Sequence, residues 1–374
     1  IAAKDTSGVL ERFEIERREV GDTDVDIEIK FCGICHSDLH KIRGEWAIPV
    51  LFPMVPGHEI AGIVRSVGPR VTKFKVGDRV GVGCIVDSCK SCAQCSRGSE
   101  QYCARGMTGT YNAKATYYGK SGPKTKILSG HTTEYTFGGY SQSVVVEEDC
   151  VVRIPDSMDL AASAPLLCAG ITTYSPLAFF GAKDKGSACT TGVIGFGGLG
   201  HMAVKLALSM GNTVYVFSTS VGKKAAVEEL GAKFVCSADK DQMAAVTGKC
   251  DFIIDTASGD HEASHYLSAL AVDGTFCVVG LPQAPFSIHP FSLIMSRKSV
   301  AGSIIGGIKE TQEMLDYCAA KGIVPDVQTI SPKDANHAMV SLAKSDPAVR
   351  RFVIDMSQLT PDLVVEPDAA IDPT

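Results

Sequence analysis

Four cysteines fall within the stretch "CKSCAQCSRGSEQYC", at Cys89, Cys92, Cys95 and Cys103. The C-x2-C-x2-C-x7-C spacing lets a short lobe wrap one tetrahedral ion and leaves no ligand position for water, so such a site braces and does not catalyse. Metal binding of this kind stabilises local folding by on the order of 10 kcal/mol. Zinc is the first choice of ion and an iron–sulfur cluster the second. A disulfide staple is disfavoured, because 14 cysteines in a chain of 374 residues without a readable secretory signal point to a reducing, cytoplasmic setting. A nucleic-acid-reading finger is disfavoured by the net charge of −6, which offers no basic field to nucleic acid or anionic lipid.

A second set of reactive residues is more dispersed. "CGICHSDLH" supplies Cys35, His36, Ser37, Asp38 and His40, "PGHEIAG" supplies His58 and Glu59, and "PLLCAGITTY" supplies Cys168 and Thr172. One such cysteine or histidine is usually a core residue; together they bring thiols, imidazoles, a hydroxyl and carboxylates suited to catalysis. The third signal is "GFGGLG", a G-x-G-x-x-G with glycines at 195, 197 and 200. An apolar strand precedes it and an amphipathic helix follows, the context in which a helix N-terminus receives a dinucleotide pyrophosphate. The next strand, "VYVFSTSVGKK", carries no carboxylate at its end. Ser218, Thr219 and Ser220 stand there with Lys223 and Lys224 behind, a set that suits the 2′-phosphate of NADP better than the free hydroxyl of NAD.

The elements that must position these groups can be read from the pattern. A chain of this length suggests two domains. The first ~150 residues read as strands bounded by glycine or aspartate turns ("DVDIEIKFCGIC", "GHEIAGIVRSVG", "GDRVGVGCIV"), a strongly bent, β-rich segment. From about Ala169 strands and helices alternate, which implies a parallel sheet covered on both faces and an α/β fold overall. "KETQEMLDYCAAKG" predicts a helix, "QTI" and "RRFVIDM" closing strands, and the Pro- and Asp-rich residues from about Ser357 a loose tail. The apolar stretch 161–182 is interrupted by prolines and threonines and reads as buried helix and loop, not a membrane span.

Taken jointly, the zinc-type segments, the four-cysteine lobe in register, "GFGGLGHMAVKLA" and "KETQEMLDYC" resemble the zinc-dependent medium-chain alcohol dehydrogenases, most closely their cinnamyl-alcohol-dehydrogenase-like branch, from roughly Val9 to Met356. The resemblance implies a GroES-like catalytic domain (1–168 and 303–360, with the zinc lobe at 89–103), an inserted Rossmann domain (169–302) and a tail (361–374). It implies two zinc ions per chain and NADP(H). Cys35, His58 and Cys168 would hold the catalytic zinc, with Glu59 behind it exchanging with the open position and Asp38 orienting His58. Ser37 would accept the substrate proton and pass it through the nicotinamide ribose to His40 and solvent. On the cofactor side it implies His36, Thr172, Gly195, Gly197, Gly198, Leu199, Gly200, Ser218, Thr219, Ser220, Lys223, Val279, Ser303 and, for a phosphate, Arg351. The plainer alternatives are a surface role for His40 and a structural one for Glu59. Cys32, Cys150, Cys189, Cys236, Cys250, Cys277 and Cys318 have no ligand spacing and read as small buried hydrophobes, and His201 as a packing residue.

Transferred positions line a substrate pocket with Trp46, Cys84, Ile294, Met295, Ile304 and Ile305, apolar enough for an aryl or medium aliphatic aldehyde. The sequence departs from plant lignin-forming members at "ARGMTGTYN", where Thr108 or Gly109 stands in place of a tryptophan, and in a longer segment near 113–138. The expected function is reversible NADP(H)-linked interconversion of primary alcohols and aldehydes, by a homodimer without nucleic-acid or membrane partners. The alternatives are an NAD-dependent polyol or secondary-alcohol dehydrogenase of the same superfamily, or a non-catalytic protein that keeps the fold.

Overall fold

The computed structural model describes residues 1–46, 48–114, 125–127, 132–282, 284–285, 287–344 and 351–368. Its contacts separate into two units, Ile1–Cys168 with Gly306–Thr374, and Ala169–Ile305.

The first unit is organised around the strand Asp24–Gly33. One edge of it pairs antiparallel with Ile60–Val67, and beyond that strand come Arg79–Val82 and Val152–Arg153. The other edge is divided between two partners. Ser143–Glu147 takes residues 24–28, and Phe352–Asp355 takes residues 31–33, with Gln328–Ile330 parallel to it outside. The pairing with Ile60–Val67 slips between Asp26 and Ile27 and again between Ile29 and Phe31. Such slips bend a sheet, which is how one long strand can serve two partners on the same side. Val25, Ile27, Ile29, Val64, Val80, Val82 and Ile354 are buried in the core that results. Of the long segment 113–138, residues 115–124 and 128–131 lie outside the described residues; Thr125–Ile127 pairs with Ile15–Glu16 and Thr132–Thr133.

The expected loose tail is corrected over residues 357–368. Leu359 and Leu363 pack on the core, Val365 is buried, and the Glu366 N–H donates to the Lys333 carbonyl. Three apolar side chains outweigh the Pro and Asp around them. The buried Asn336 completes the tether: its Oδ1 accepts from Leu10 N–H at 2.7 Å, and its Nδ2 donates to the carbonyls of Leu10 and Glu366, each at 3.0 Å.

The second unit holds a six-stranded, all-parallel sheet in the order Lys233–Cys236, Thr213–Ser218, Thr190–Ile194, Cys250–Asp255, Leu270–Val278, Ser299–Gly302. The chain leaves Thr190–Ile194 first to one side and later to the other, which makes its C-terminal end the switch point of a doubly wound sheet. The α/β class expected from the alternating pattern is what the structure has. The seven cysteines without ligand spacing are all buried, and so is His201. Among the described residues no helix is long and apolar enough to cross a membrane. The stretch 161–182 instead contributes the buried helix Ala169–Phe179, with Pro176 inside it.

Asn336→Ala is expected to destabilise the first unit by about 2 kcal/mol, since the buried N–H and carbonyl of Leu10 and the part-buried carbonyl of Glu366 lose their partner. The denaturation midpoint of the whole chain measures this, and an unchanged midpoint would show the tether to be dispensable.

Candidate metal centres and cofactor loop

The four-cysteine lobe is a helix turn, Ala93–Ser96, and a 3₁₀ turn, Glu100–Tyr102, wound around sulfur. The donor atoms of Cys89, Cys92, Cys95 and Cys103 lie within 4.8 Å of one another. Backbone N–H groups point at the sulfurs: Cys92 N to Cys89 Sγ at 3.3 Å, Cys89 N to Cys103 Sγ at 3.4 Å, Ala104 N to Cys92 Sγ at 3.5 Å. The amides of Cys95 and Ala104 bring the Cys92 thiol down to about 6, while burial pushes Cys95 up to about 12. Four sulfurs with amide donors around them fit one tetrahedral zinc. The lobe also anchors a helix far along the chain: Glu100 accepts from the Ile308 N–H at 3.0 Å, at the start of the helix Ile308–Lys321.

The second centre joins Cys35, His58, Glu59 and Cys168, all buried, again with donor atoms within 4.8 Å of one another. Cys35 Sγ is 3.9 Å from Cys168 Sγ, and His58 Nε2 is 3.2 Å from Cys168 Sγ. Asp38, on the helix His36–Ile42, aligns three of its parts. It accepts from Cys35 N–H at 3.0 Å, from Gly57 N–H at 3.2 Å and from the Tyr140 hydroxyl at 3.2 Å, and its Oδ1 is 3.2 Å from His58 Nδ1. That last contact turns Nε2 toward the thiols, as a metal-binding imidazole requires. Gly57 holds φ at +101°, and a Cβ there would stand 2.6 Å from the Tyr140 ring, so the turn into His58 needs glycine.

The charges of this centre are strongly coupled. A hydrogen bond from Cys168 holds the Cys35 thiol well below the usual range, and the same contact drives Cys168 well above it. Burial opposes the charge of His58, but Asp38 carries its pKa well above the ordinary value. Burial pushes Glu59 up to about 8 even though Arg351 works against that rise. Arg351, expected on a cofactor phosphate, is buried and donates from Nη2 to Glu59, so its partner in this structure belongs to the metal centre. A Cβ on Gly33 would run into the Glu59 carboxylate.

Ser37 Oγ lies 3.5 Å from Cys35 Sγ. His40 is 18% exposed at its side chain, not a surface residue; Nδ1 bonds Glu45, and Nε2 is buried without a partner among the described residues. Trp46 stacks on the His40 ring with centroids 5.7 Å apart. His36, expected near a pyrophosphate, places Nε2 3.1 Å from the Leu342 carbonyl, and burial lowers its pKa. Cys84 stands beside Cys168, which lowers its thiol pKa. Three residues that sequence reasoning missed also touch the centre. Glu45 follows His40 by five residues, just past the end of the helix His36–Ile42, a closeness in sequence that offers a signal. Tyr140 on Asp38, and Tyr111, stacked on His58 with centroids 5.6 Å apart, have none. Burial raises the Tyr111 hydroxyl well above the ordinary pKa, so it stays a donor.

In the second unit, Gly195 ends the central strand with φ +84°, and Gly197 precedes the helix Gly198–Ser209, which begins with Gly198, Leu199 and Gly200. A Cβ on Gly200 would strike the Gly195 carbonyl, whereas one on Gly197 would meet nothing within 4 Å. The helix has no side-chain cap, so its first N–H groups and the open face of Gly197 fit a pyrophosphate. Ser218 closes the neighbouring strand with Oγ accepting from Ser220 N–H at 3.2 Å; Thr219 and Ser220 are exposed, and Lys223 follows half-buried. Val279 N–H bonds Asp255, and Ser303 N–H bonds Val278, so both sit at the same C-terminal end of the sheet. Thr172 is buried in the helix Ala169–Phe179, Ile294, Met295 and Ile304 are exposed within this unit, and Ile305 is buried.

Cys95→Ser is expected to lower bound zinc from two ions to one per chain and to lower the thermal midpoint, because one of four thiolates is lost from the lobe. Metal analysis of the purified chain checks this; two ions retained would place the second metal elsewhere.

Comparison with known proteins gives the same two parts. Residues 21–156 match the family model described as alcohol dehydrogenase GroES-like domain, and residues 198–320 match zinc-binding dehydrogenase. A probable mannitol dehydrogenase of Fragaria ananassa is 50% identical over 358 residues, covering 95% of this chain and 94% of that protein. An NADP-dependent alcohol dehydrogenase C of Mycobacterium tuberculosis is 47% identical over 360 residues, covering 96% and 98%. Among solved structures, a cinnamyl alcohol dehydrogenase of Sorghum bicolor superposes with a TM-score of 0.88 at 42% identity, covering 97% of this chain and 98% of that one. With both family models matched and relatives near half identity along almost its whole length, the chain belongs to the zinc-dependent medium-chain alcohol dehydrogenases, a family of oxidoreductases.

Proposed function

We propose that the chain is a zinc-dependent, NADP(H)-linked oxidoreductase that interconverts primary alcohols and aldehydes, working chiefly as a reductase of aryl or medium-chain aldehydes. The observation that carries this reading is the buried donor set Cys35, His58 and Cys168, with Glu59 directly behind it. Zinc held by these residues supplies a Lewis acid for the substrate oxygen, and NADP(H) supplies the hydride.

The chain's own residues do the rest. Asp38 fixes the His58 tautomer and the Cys35 turn. Arg351 balances Glu59, whose carboxylate would serve as an exchangeable ligand of a zinc held here. Ser37 holds the proton of the reacting hydroxyl, and His40, its Nδ1 fixed by Glu45, keeps a buried, unpartnered Nε2 available to receive it. Trp46 and Cys84 give the metal side an apolar lining. NADP is favoured over NAD by Ser218, Thr219, Ser220 and Lys223 where a carboxylate would otherwise stand, and by the NADP-dependent mycobacterial relative. The Fragaria ananassa relative, described as a probable mannitol dehydrogenase, supports a second reading, a polyol dehydrogenase.

A homodimer belongs to the same proposal. Ser299–Gly302 is an edge strand with one neighbour; Val300 within it, and Ile294 and Met295 a few residues before it in sequence, are 39%, 68% and 67% exposed. A cytoplasmic setting is supported by fourteen cysteines, none of them in a disulfide.

Cofactor oxidation by the purified chain, NADPH against NADH, over aryl and aliphatic aldehydes and with mannitol in the reverse direction, tests the proposal. Turnover of aldehydes with NADPH is expected; preference for mannitol and NAD would overturn it. Ser218→Asp is expected to raise the KM for NADPH about 10-fold or more, because a carboxylate repels the 2′-phosphate. Glu45→Ala is expected to lower kcat about 10-fold through a disordered His40. Steady-state kinetics on each variant checks both values.

A further inference from the structure

We propose that Tyr111 is a positioning residue of the Cys35–His58–Cys168 centre, holding the His58 ring by its face and the Ser37 main chain by its hydroxyl. The inference rests on the function proposed above only in its kinetic part; its structural part stands on the metal centre alone.

The geometry is that of a bridge. The Tyr111 ring lies over the His58 imidazole with centroids 5.6 Å apart and planes inclined by 29°. Its hydroxyl donates to the Ser37 carbonyl at 3.3 Å. One side chain thus touches both chain segments that must keep register, the helix bearing Ser37 and Asp38 and the turn bearing His58. Asp38 at Nδ1 and Cys168 at Nε2 hold the two edges of the imidazole, which leaves the ring free to tilt about the line between them. A second ring against its face removes that freedom.

Tyr111 is itself held on both flanks. Asn112 has φ +49°, and its side chain clasps both backbone groups of Leu51, with Oδ1 accepting from Leu51 N–H at 3.2 Å. Asn112 N–H donates to the Thr136 carbonyl at 2.8 Å, and Thr136 N–H returns to the Ala113 carbonyl at 2.9 Å. On the other side Thr110 donates from N–H to the Cys84 carbonyl at 3.1 Å and from Oγ1 to the Gly83 carbonyl. Residues 110–113 and 136 therefore form a frame that feeds one aromatic ring into the metal centre. The left-handed backbone at Asn112, uncommon outside glycine, turns that frame.

The test uses the whole chain with cobalt(II) in place of zinc, because cobalt bound by thiolates and imidazole reports its coordination in the visible spectrum. Tyr111→Phe keeps the ring and should keep the wild-type spectrum, while kcat falls about 3- to 10-fold, the solvent deuterium isotope effect changes and the aldehyde KM holds. Tyr111→Leu should shift the cobalt spectrum and speed metal release to a chelator about 10- to 100-fold, with the circular dichroism of the folded chain retained. Asn112→Ala should reproduce the spectral shift with the tyrosine still present. A wild-type spectrum and release rate in Tyr111→Leu would overturn the role at His58, and unaltered kinetics in Tyr111→Phe would overturn the role at Ser37. If the wild-type chain binds cobalt at this centre yet reduces no aldehyde, the functional reading fails, and the spectra still decide the positioning role.

Discussion

Asp38 has no exposed surface, yet its two oxygens meet the Cys35 and Gly57 amides, the Tyr140 hydroxyl and the His58 ring. A buried carboxylate is costly unless its lone pairs are filled, and here four groups fill them. Each of those groups belongs to a different part of the centre. The carboxylate thus sets the direction of the cysteine turn, the imidazole and the loop into His58 at once. The helix His36–Ile42, too short to be stable alone, exists where it does because Asp38 is committed at its start.

Around that knot the first unit gathers more acidic groups than an apolar core could hold in charged form: two thiols, Asp38 and Glu59. Arg351 is the protein's own answer, and a divalent ion held by Cys35, His58 and Cys168 would be the other. The glycines reflect the same crowding. Gly33 leaves room for the Glu59 carboxylate, and Gly57 makes a turn that no side chain could share with Tyr140 and Cys32. Their place in "CGIC" and "PGHE" is steric before it is chemical.

Much of this was legible in the sequence because ligand chemistry is local. The four-cysteine lobe, the glycine loop and the segments around Cys35, His58 and Cys168 carry their residue types at short spacings, and the alternating runs predict the strands that hold them. What stayed hidden depends on distance along the chain. Nothing near Arg351 in sequence points to Glu59, and nothing in "GTYN" shows that Tyr111 will lie on an imidazole more than fifty residues earlier. The tail misleads for a simpler reason: composition rich in Pro and Asp masks Leu359, Leu363 and Val365, which are enough to anchor it.

Arg351 and Glu59 are 292 positions apart, on either side in sequence of the whole parallel-sheet unit. On a ribosome the acid emerges, the bent sheet forms with one strand edge half filled, and the parallel-sheet unit is made before the arginine arrives. Until then Glu59 lacks the guanidinium that pairs with it in the complete chain. Burial without that partner favours the neutral acid, so the last strand of the sheet delivers the charge that lets Glu59 ionise inside the core.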